Sequence, residues 1–261
     1  MKLCSLVSGS SGNCIYIEGK QARLLIDAGM SGNKIQSFLQ HIGVEGSSLD
    51  GILLTHEHAD HIAGAGILAR RLGLPIYANE KTFAACNGKL GKMTQVTCCV
   101  FQTGIPFEMK GMEITPFPIS HDAAEPVGFT FSEGKDRIGL ATDTGVVTTE
   151  IKKHLKACKA VFLEANHDKE MLRSGAYPAY LKARIASELG HLSNDNSAEF
   201  AVELVKNGTE ALTLGHLSQN NNHPFLAKQS YVFALQEAGI RKEDVFLQVA
   251  MRSMNSAFME V

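Results

Sequence analysis

LTHEHADHIAG, residues 54–64, closes an apolar run and brings His56, His58, Asp60 and His61 together in an HxHxDH pattern. Imidazole and carboxylate suit a divalent hydrolytic metal, and a strand-to-helix turn of this shape can aim four such side chains at one point. A single histidine here would read as an ordinary core or surface residue. Four strong ligands at this spacing read as a metal site.

Three more candidates each follow a β-like run: His121 in FPISHDA, Asp143 in LATDTG and His216 in LTLGHLS. A strand end is a rigid platform for a ligand. The set then divides into His56, His58 and His121 for one ion and Asp60, His61 and His216 for a second, with Asp143 bridging. Asp60 is expected to serve catalysis as well.

The flanking pattern supplies the scaffold. CIYIEG, ARLLIDAG and GILLTH read as strands, and NKIQSFLQHIG reads as a helix with Ile35, Phe38, Leu39 and Ile42 on one stripe. From about residue 94, TQVTCCVF, MEITPFPIS, VGFTFSEG, DRIGLATD and AVFLEAN read as strands separated by Gly, Pro and charged turns. Helix and strand signals return in NDNSAEFAVELVKNG, EALTLGH, QSYVFALQEAG and DVFLQVA. Two blocks of strands with helices suggest an α/β (α+β) chain built as a four-layer αββα sandwich, residues 1–261 forming one domain. A doubly wound single sheet fits the periodicity comparably.

The 261 residues are 44% hydrophobic and 20% charged, the balance of an ordinary folded protein. The N-terminal MKLCSLVSGSSGNCIYIEG is too polar and too broken for a signal peptide or a membrane span, so a cytoplasmic protein without membrane attachment is expected. Six cysteines without a CxxC pair read as reduced thiols. The net charge of −2 gives no global field for a polyanion. The window Lys152–Arg184 concentrates cations, but its first half, KKHLKACK, reads as a solvated helix face.

The sequence resembles the metallo-β-lactamase-fold hydrolases, whose motifs occur here in order as Asp27 in LLIDAG, the HxHxDH stretch, His121, Asp143 and His216. The resemblance implies the αββα sandwich and makes Asp27 a residue that holds the histidine loop rather than a ligand. True β-lactamases carry Cys where this chain has Asp143, so antibiotic hydrolysis is not expected. Within the superfamily, SLVSGSSGNCIYIEG, LLTHEHADHIAG, LEANHD and GHLSN are most similar to the YycJ/WalJ family of exonuclease-like phosphodiesterases. The short span between Asp143 and His191 leaves no room for the exosite arm of transfer-RNA processing enzymes or for a β-CASP insertion.

That resemblance gives the two copies of GHLS different roles. His191, which opens a helix, is implied as the general acid for the leaving group, whereas His216, which ends a strand, is implied as a ligand. The expected function is dinuclear, metal-dependent cleavage of phosphodiesters, with Zn or Mn as the ions and Fe admitted, and with a DNA or RNA exonuclease as the leading reading. A small cyclic or nucleotide phosphodiesterase and a non-catalytic metal-dependent binding protein are the alternatives, and oligomeric state is left open. Ser8, Ser10 and Asn13 in SGSSGN, then Asn166, His167, Tyr177, Lys182 and Arg184, are candidates for substrate contact. The plain alternative is a hairpin turn for the first group and loop surface for the second.

Overall fold

Near-continuous apolar runs such as Ala160–Glu164 and Ala211–Gly215 give the central strands two buried faces, and such strands must be covered on both sides. The computed structural model, which describes residues 1–261, satisfies this with two seven-stranded sheets stacked face to face. β1 (Lys2–Val7), β2 (Cys14–Glu18), β3 (Arg23–Ile26), β4 (Gly51–Leu53), β5 (Ile76–Ala78) and β6 (Cys98–Val100) run in that order across the first sheet. β7 (Phe107–Met109), β8 (Met112–Pro118), β9 (Val127–Glu133), β10 (Asp136–Ala141), β11 (Ala160–Glu164), β12 (Ala211–Gly215) and β13 (Phe246–Val249) cross the second. The C-terminal β14 (Met259–Glu260) returns to the first sheet and pairs antiparallel with β1.

Three apolar clusters define four layers. Ile17, Leu24, Ile26 and Leu53 of the first sheet meet Phe129, Phe131, Leu140 and Phe162 of the second in the central core. The outer face of the first sheet buries Ile35 and Leu39 of α1 (Gly32–His41) and Leu68 of α3 (Ala65–Leu72). The outer face of the second takes Ile151 of α5 (Thr149–Leu155), Phe200 and Leu204 of α8 (Asn194–Lys206), and Tyr231 of α9 (Pro224–Glu237). The sandwich reading therefore holds, and the doubly wound single sheet is excluded. α2 (Ala59–Ile62) and α4 (Glu80–Cys86) complete the first half.

The expected stripe on α1 is buried as read, with Phe38 and Ile42 packed at its margin. The stretch after β11, for which loop surface was the plain alternative, forms α6 (Lys169–Ser174) and α7 (Ala179–Ile185). Asp168 caps α6 by accepting from the Met171 N–H at 2.8 Å, and Pro178 precedes the first turn of α7, where a missing N–H costs nothing. KKHLKACK is a solvated face: Lys152 and Lys156 pair with Glu203, and Lys159 pairs with Asp136. All six cysteines are free thiols. No helix is long and apolar enough to cross a membrane.

Candidate metal centre

The functional side chains gather where loops leave the C-terminal ends of parallel strands. β3 and β4 are parallel neighbours, as are β10, β11 and β12, so their exits are adjacent and deliver Asp27, the histidine loop, Asp143, Glu164 and His216 to one place. Asp27, Asp143 and His216 have left-handed backbones, with φ of 60°, 56° and 54°. Such a conformation is uncommon for a residue with a Cβ, and strain of this kind persists where packing over-determines it, commonly at functional sites.

The loops are knitted by their backbones. Asn13 N–H donates to Asp60 O at 2.8 Å, Gly29 N–H to Asn13 O at 2.8 Å and Ala28 N–H to His61 O at 2.7 Å. A Cβ on Gly29 would overlap the Asp60 carbonyl, so only glycine lets the β3 loop approach this closely.

His56 Nε2 and His58 Nδ1 stand 3.1 Å apart, and the His121 ring lies 5.2 and 5.1 Å from those two rings. His121 Nδ1 donates to the Gly190 carbonyl at 3.1 Å, which turns Nε2 toward Asp143. On the other side, Asp60 Oδ2 is 3.6 Å from His61 Nε2 and 3.7 Å from His216 Nε2. Asp143 lies between the groups, its oxygens 3.3 Å from His61 Nε2, 2.8 Å from His216 Nδ1 and 4.0 Å from His121 Nε2. All seven sequence-derived ligands are therefore brought together.

This donor set fits divalent ions. Within each group the nitrogen and oxygen atoms lie within 4.8 Å of one another. Tetrahedral bonds of 2.0–2.1 Å place ligand atoms about 3.3 Å apart, close to the spacings found here. His216 Nδ1 is buried and makes no aligned hydrogen bond despite its nearness to Asp143, as expected of two donors that converge on a third body. The cluster is thus able to bind metal.

Electrostatics keep the carboxylates ionised. Burial opposes charge on Asp143, but His216 and His61 beside it outweigh that and hold its carboxyl well below the usual range. Asp60 is likewise held down by His216 and His61 against its burial. His56, enclosed and next to His61, is pushed well below the ordinary imidazole range and presents a neutral ring.

Asp27 is buried among apolar strands and binds no partner of opposite fixed charge. It accepts from Thr55 N–H at 2.8 Å and Thr55 Oγ1–H at 2.8 Å, and its Oδ2 meets His61 Nδ1 at 2.7 Å. With Nδ1 committed, Nε2 of His61 is the nitrogen left to face the cluster. Asp27→Ala is expected to lower affinity for the ion at Asp60, His61 and His216 by roughly 10–100-fold, read by competition against a metallochromic chelator.

Three of the residues proposed to touch substrate do something else. Ser8 and Asn13 are buried, not displayed to solvent. Ser8 Oγ accepts from the His216 N–H at 2.7 Å, while Asn13 Nδ2 lies 3.1 Å from His61 Nε2 and 3.4 Å from Asp60 Oδ2. The SGSSGN segment is therefore a strap that positions the donors, leaving Ser10 exposed at its tip. Asn166 is also buried and donates to the His216 carbonyl at 3.0 Å, supporting the left-handed backbone there. Arg184 is engaged by Asp122 at the edge of the site. Tyr177 accepts from Asn220 at 2.9 Å. His167 and Lys182 line a cavity beside His191.

Glu164 was missed by the sequence reading. It is completely buried at the end of β11, with Oε1 2.7 Å from His191 Nδ1 and Oε2 accepting from Thr144 N–H at 2.7 Å. The signal was present: Ala160, Phe162 and Glu164 alternate onto the inner face, and an acid that continues a buried apolar row needs a partner. Burial opposes its charge, yet His191 holds its carboxyl below the usual range. His191 itself sits at the entrance to α8, its ring 5.0 Å from that of His121 and 5.2 Å from that of His216.

A family profile described as "Beta-lactamase superfamily domain" matches residues 22–216. The chain is 44% identical over 241 residues to a Streptococcus pneumoniae D39 protein named Exodeoxyribonuclease WalJ, covering 92% of this chain and 90% of that one. It is 39% identical over 241 residues to Exodeoxyribonuclease YycJ of Bacillus anthracis, covering 92% and 91%. Among solved structures, the metallo-beta-lactamase fold protein YhfI from Bacillus subtilis superposes with a TM-score of 0.73 at 18% identity, over 98% of this chain and 99% of that one, a likeness of fold.

Proposed function

The chain belongs to the beta-lactamase superfamily, and we propose that within it the protein is a two-metal exonuclease that removes nucleotides from the end of a DNA strand. The 44% and 39% identical relatives, both named exodeoxyribonucleases and matched over nearly their full length, support DNA as the substrate. The observation that carries the mechanism is His191 held by buried Glu164 at the rim of the donor cluster.

His56, His58 and His121 would hold one divalent ion and Asp60, His61 and His216 the other, with Asp143 shared. Zn²⁺ and Mn²⁺ both suit imidazole and carboxylate, and iron is admitted. Bound ions at such a centre lower the pKa of a water and neutralise charge on the attacked phosphate.

The chain's own contribution is proton placement. Ionised Glu164 accepts a hydrogen bond from His191 Nδ1–H, so Nε2 becomes the atom that takes and gives the proton. His191 is half-buried and its Nδ1 is 3.8 Å from Asp143, close enough to the cluster to serve a leaving oxygen yet outside both proposed ligand groups. Protonated at Nε2, it donates to the departing alkoxide, a transfer typically worth about 10²- to 10⁴-fold. Asp60, beside His61 and His216, would combine a ligand role with orientation of the attacking water.

Two comparisons test the reading. Linear DNA labelled at one end should be shortened while covalently closed circular DNA survives; equal attack on both would replace exonuclease by endonuclease. Bis-p-nitrophenyl phosphate should be cleaved and a cephalosporin left intact, because Asp143 stands where β-lactamases have Cys. Cephalosporin turnover without phosphodiesterase activity would overturn the assignment.

A further inference from the structure

A cavity of about 450 Å³ opens beside His191. Its size falls within the ~300–1,000 Å³ usual for ligand pockets. The wall is formed by α6, α7 and the first turn of α8, and it carries Lys169, Arg173, Lys182 and His167 with no acidic residue. A second groove, about 860 Å³ between α8 and α9, is lined by Asp168, Asp195, Glu199, Glu203 and Glu237 and no basic residue. A polyanion is repelled from the second and drawn into the first.

The three cations are available. Lys169 pairs with Asp195 at 3.3 Å and Arg173 with Glu170 at 2.6 Å, both across exposed surface, where such pairs are weak and readily exchanged. Lys182 has no carboxylate within ion-pair distance. Its Nζ donates one hydrogen bond, to the Arg173 carbonyl at 2.7 Å, leaving two protons for another acceptor. Ser193 and Asn196 bring the amino-terminal end of the 13-residue α8 to the same wall, adding the positive end of a helix dipole.

We infer that this cavity is a phosphate subsite for the departing part of the DNA strand, built from Lys169, Arg173 and Lys182. The inference rests on the proposed function, because His191 gives its proton to the leaving oxygen and the cavity lies on that histidine's side. A leaving nucleotide whose phosphate is held here is kept in line with the scissile bond, and binding energy remote from the reacting atoms is thereby spent on orientation. The sequence window Lys152–Arg184 thus divides in two: its first half is paired on the surface, and part of its second half forms the subsite.

The test uses the metal-loaded enzyme with Lys182→Ala, Arg173→Ala and the control Lys156→Ala, which lies outside the cavity. Calorimetric titration with thymidine 5′-monophosphate, thymidine 3′-monophosphate and thymidine reads the subsite directly. Either monophosphate should bind and thymidine should not, and each cavity variant should weaken that binding by about tenfold and flatten its salt dependence. kcat/KM on an oligonucleotide should fall by a similar factor in the cavity variants and stay at the wild-type level in Lys156→Ala, and a melting temperature matching the wild type reports intact folding. Oligonucleotides with a phosphate at the 5′ end, the 3′ end or neither tell whether the phosphate bound is terminal or internal. Unchanged nucleotide binding in both variants overturns the subsite, as does an equal loss in Lys156→Ala. If the wild type cleaves no DNA, the functional reading fails by itself and the titration still decides the subsite.

Discussion

His216→Ala is expected to release the ion held with Asp60 and His61 and to lower hydrolysis of DNA by at least about a thousandfold, roughly 4 kcal/mol of transition-state stabilisation. The size of the effect follows from where His216 stands. It is buried at the end of β12, with a strained backbone held by Ser8 and Asn166, and its ring faces Asp60 on one side and Asp143 on the other. The neighbouring histidines are each held by other partners, His61 by Asp27, His121 by the Gly190 carbonyl and His191, whose ring is 5.2 Å away, by Glu164. Elemental analysis of the purified variant should give one ion fewer per chain than wild type. A variant that keeps the full complement contradicts the assignment.

His191→Ala should behave in the opposite way, keeping its metal content and losing roughly 10²- to 10⁴-fold in kcat on DNA. The alkoxide that leaves a DNA strand is strongly basic and needs the proton, whereas p-nitrophenolate scarcely does. The deficit should therefore shrink on bis-p-nitrophenyl phosphate, a pattern that a ligand or a folding residue would not produce. Glu164→Gln should reproduce part of the loss, since a neutral amide no longer fixes Nδ1–H or stabilises the protonated ring. Loss of metal from His191→Ala would reverse the roles of the two GHLS copies.

Those copies show how much the sequence made legible. Identical tetrapeptides carry different flanks, an N-capped helix after one and an apolar strand before the other, and the structure puts His191 at the entrance to α8 and His216 at the exit of β12. The strand runs, the α1 stripe and the seven clustered donors were readable because period and residue type report local structure directly. What escaped depends on long-range partners. Glu164 looked like the last residue of a strand, and its meaning appears only when Thr144 and His191 close around its oxygens. SGSSGN looked like a turn open to phosphate, whereas its Ser8 and Asn13 are enclosed because the distant His216 and Asp60 backbones dock on them. α6 and α7 did not stand out because they are single short pieces, marked by the Asp168 cap and by Pro178 rather than by apolar periodicity.

A cluster built for two ions should hydrolyse DNA only when it holds them. Protein stripped with a chelator, reloaded with Zn²⁺ or Mn²⁺ and freed of excess should show close to two ions per chain by elemental analysis, with degradation of end-labelled DNA absent before reloading and restored after it. One ion or none in the reloaded protein, or degradation that persists in the stripped protein, contradicts it.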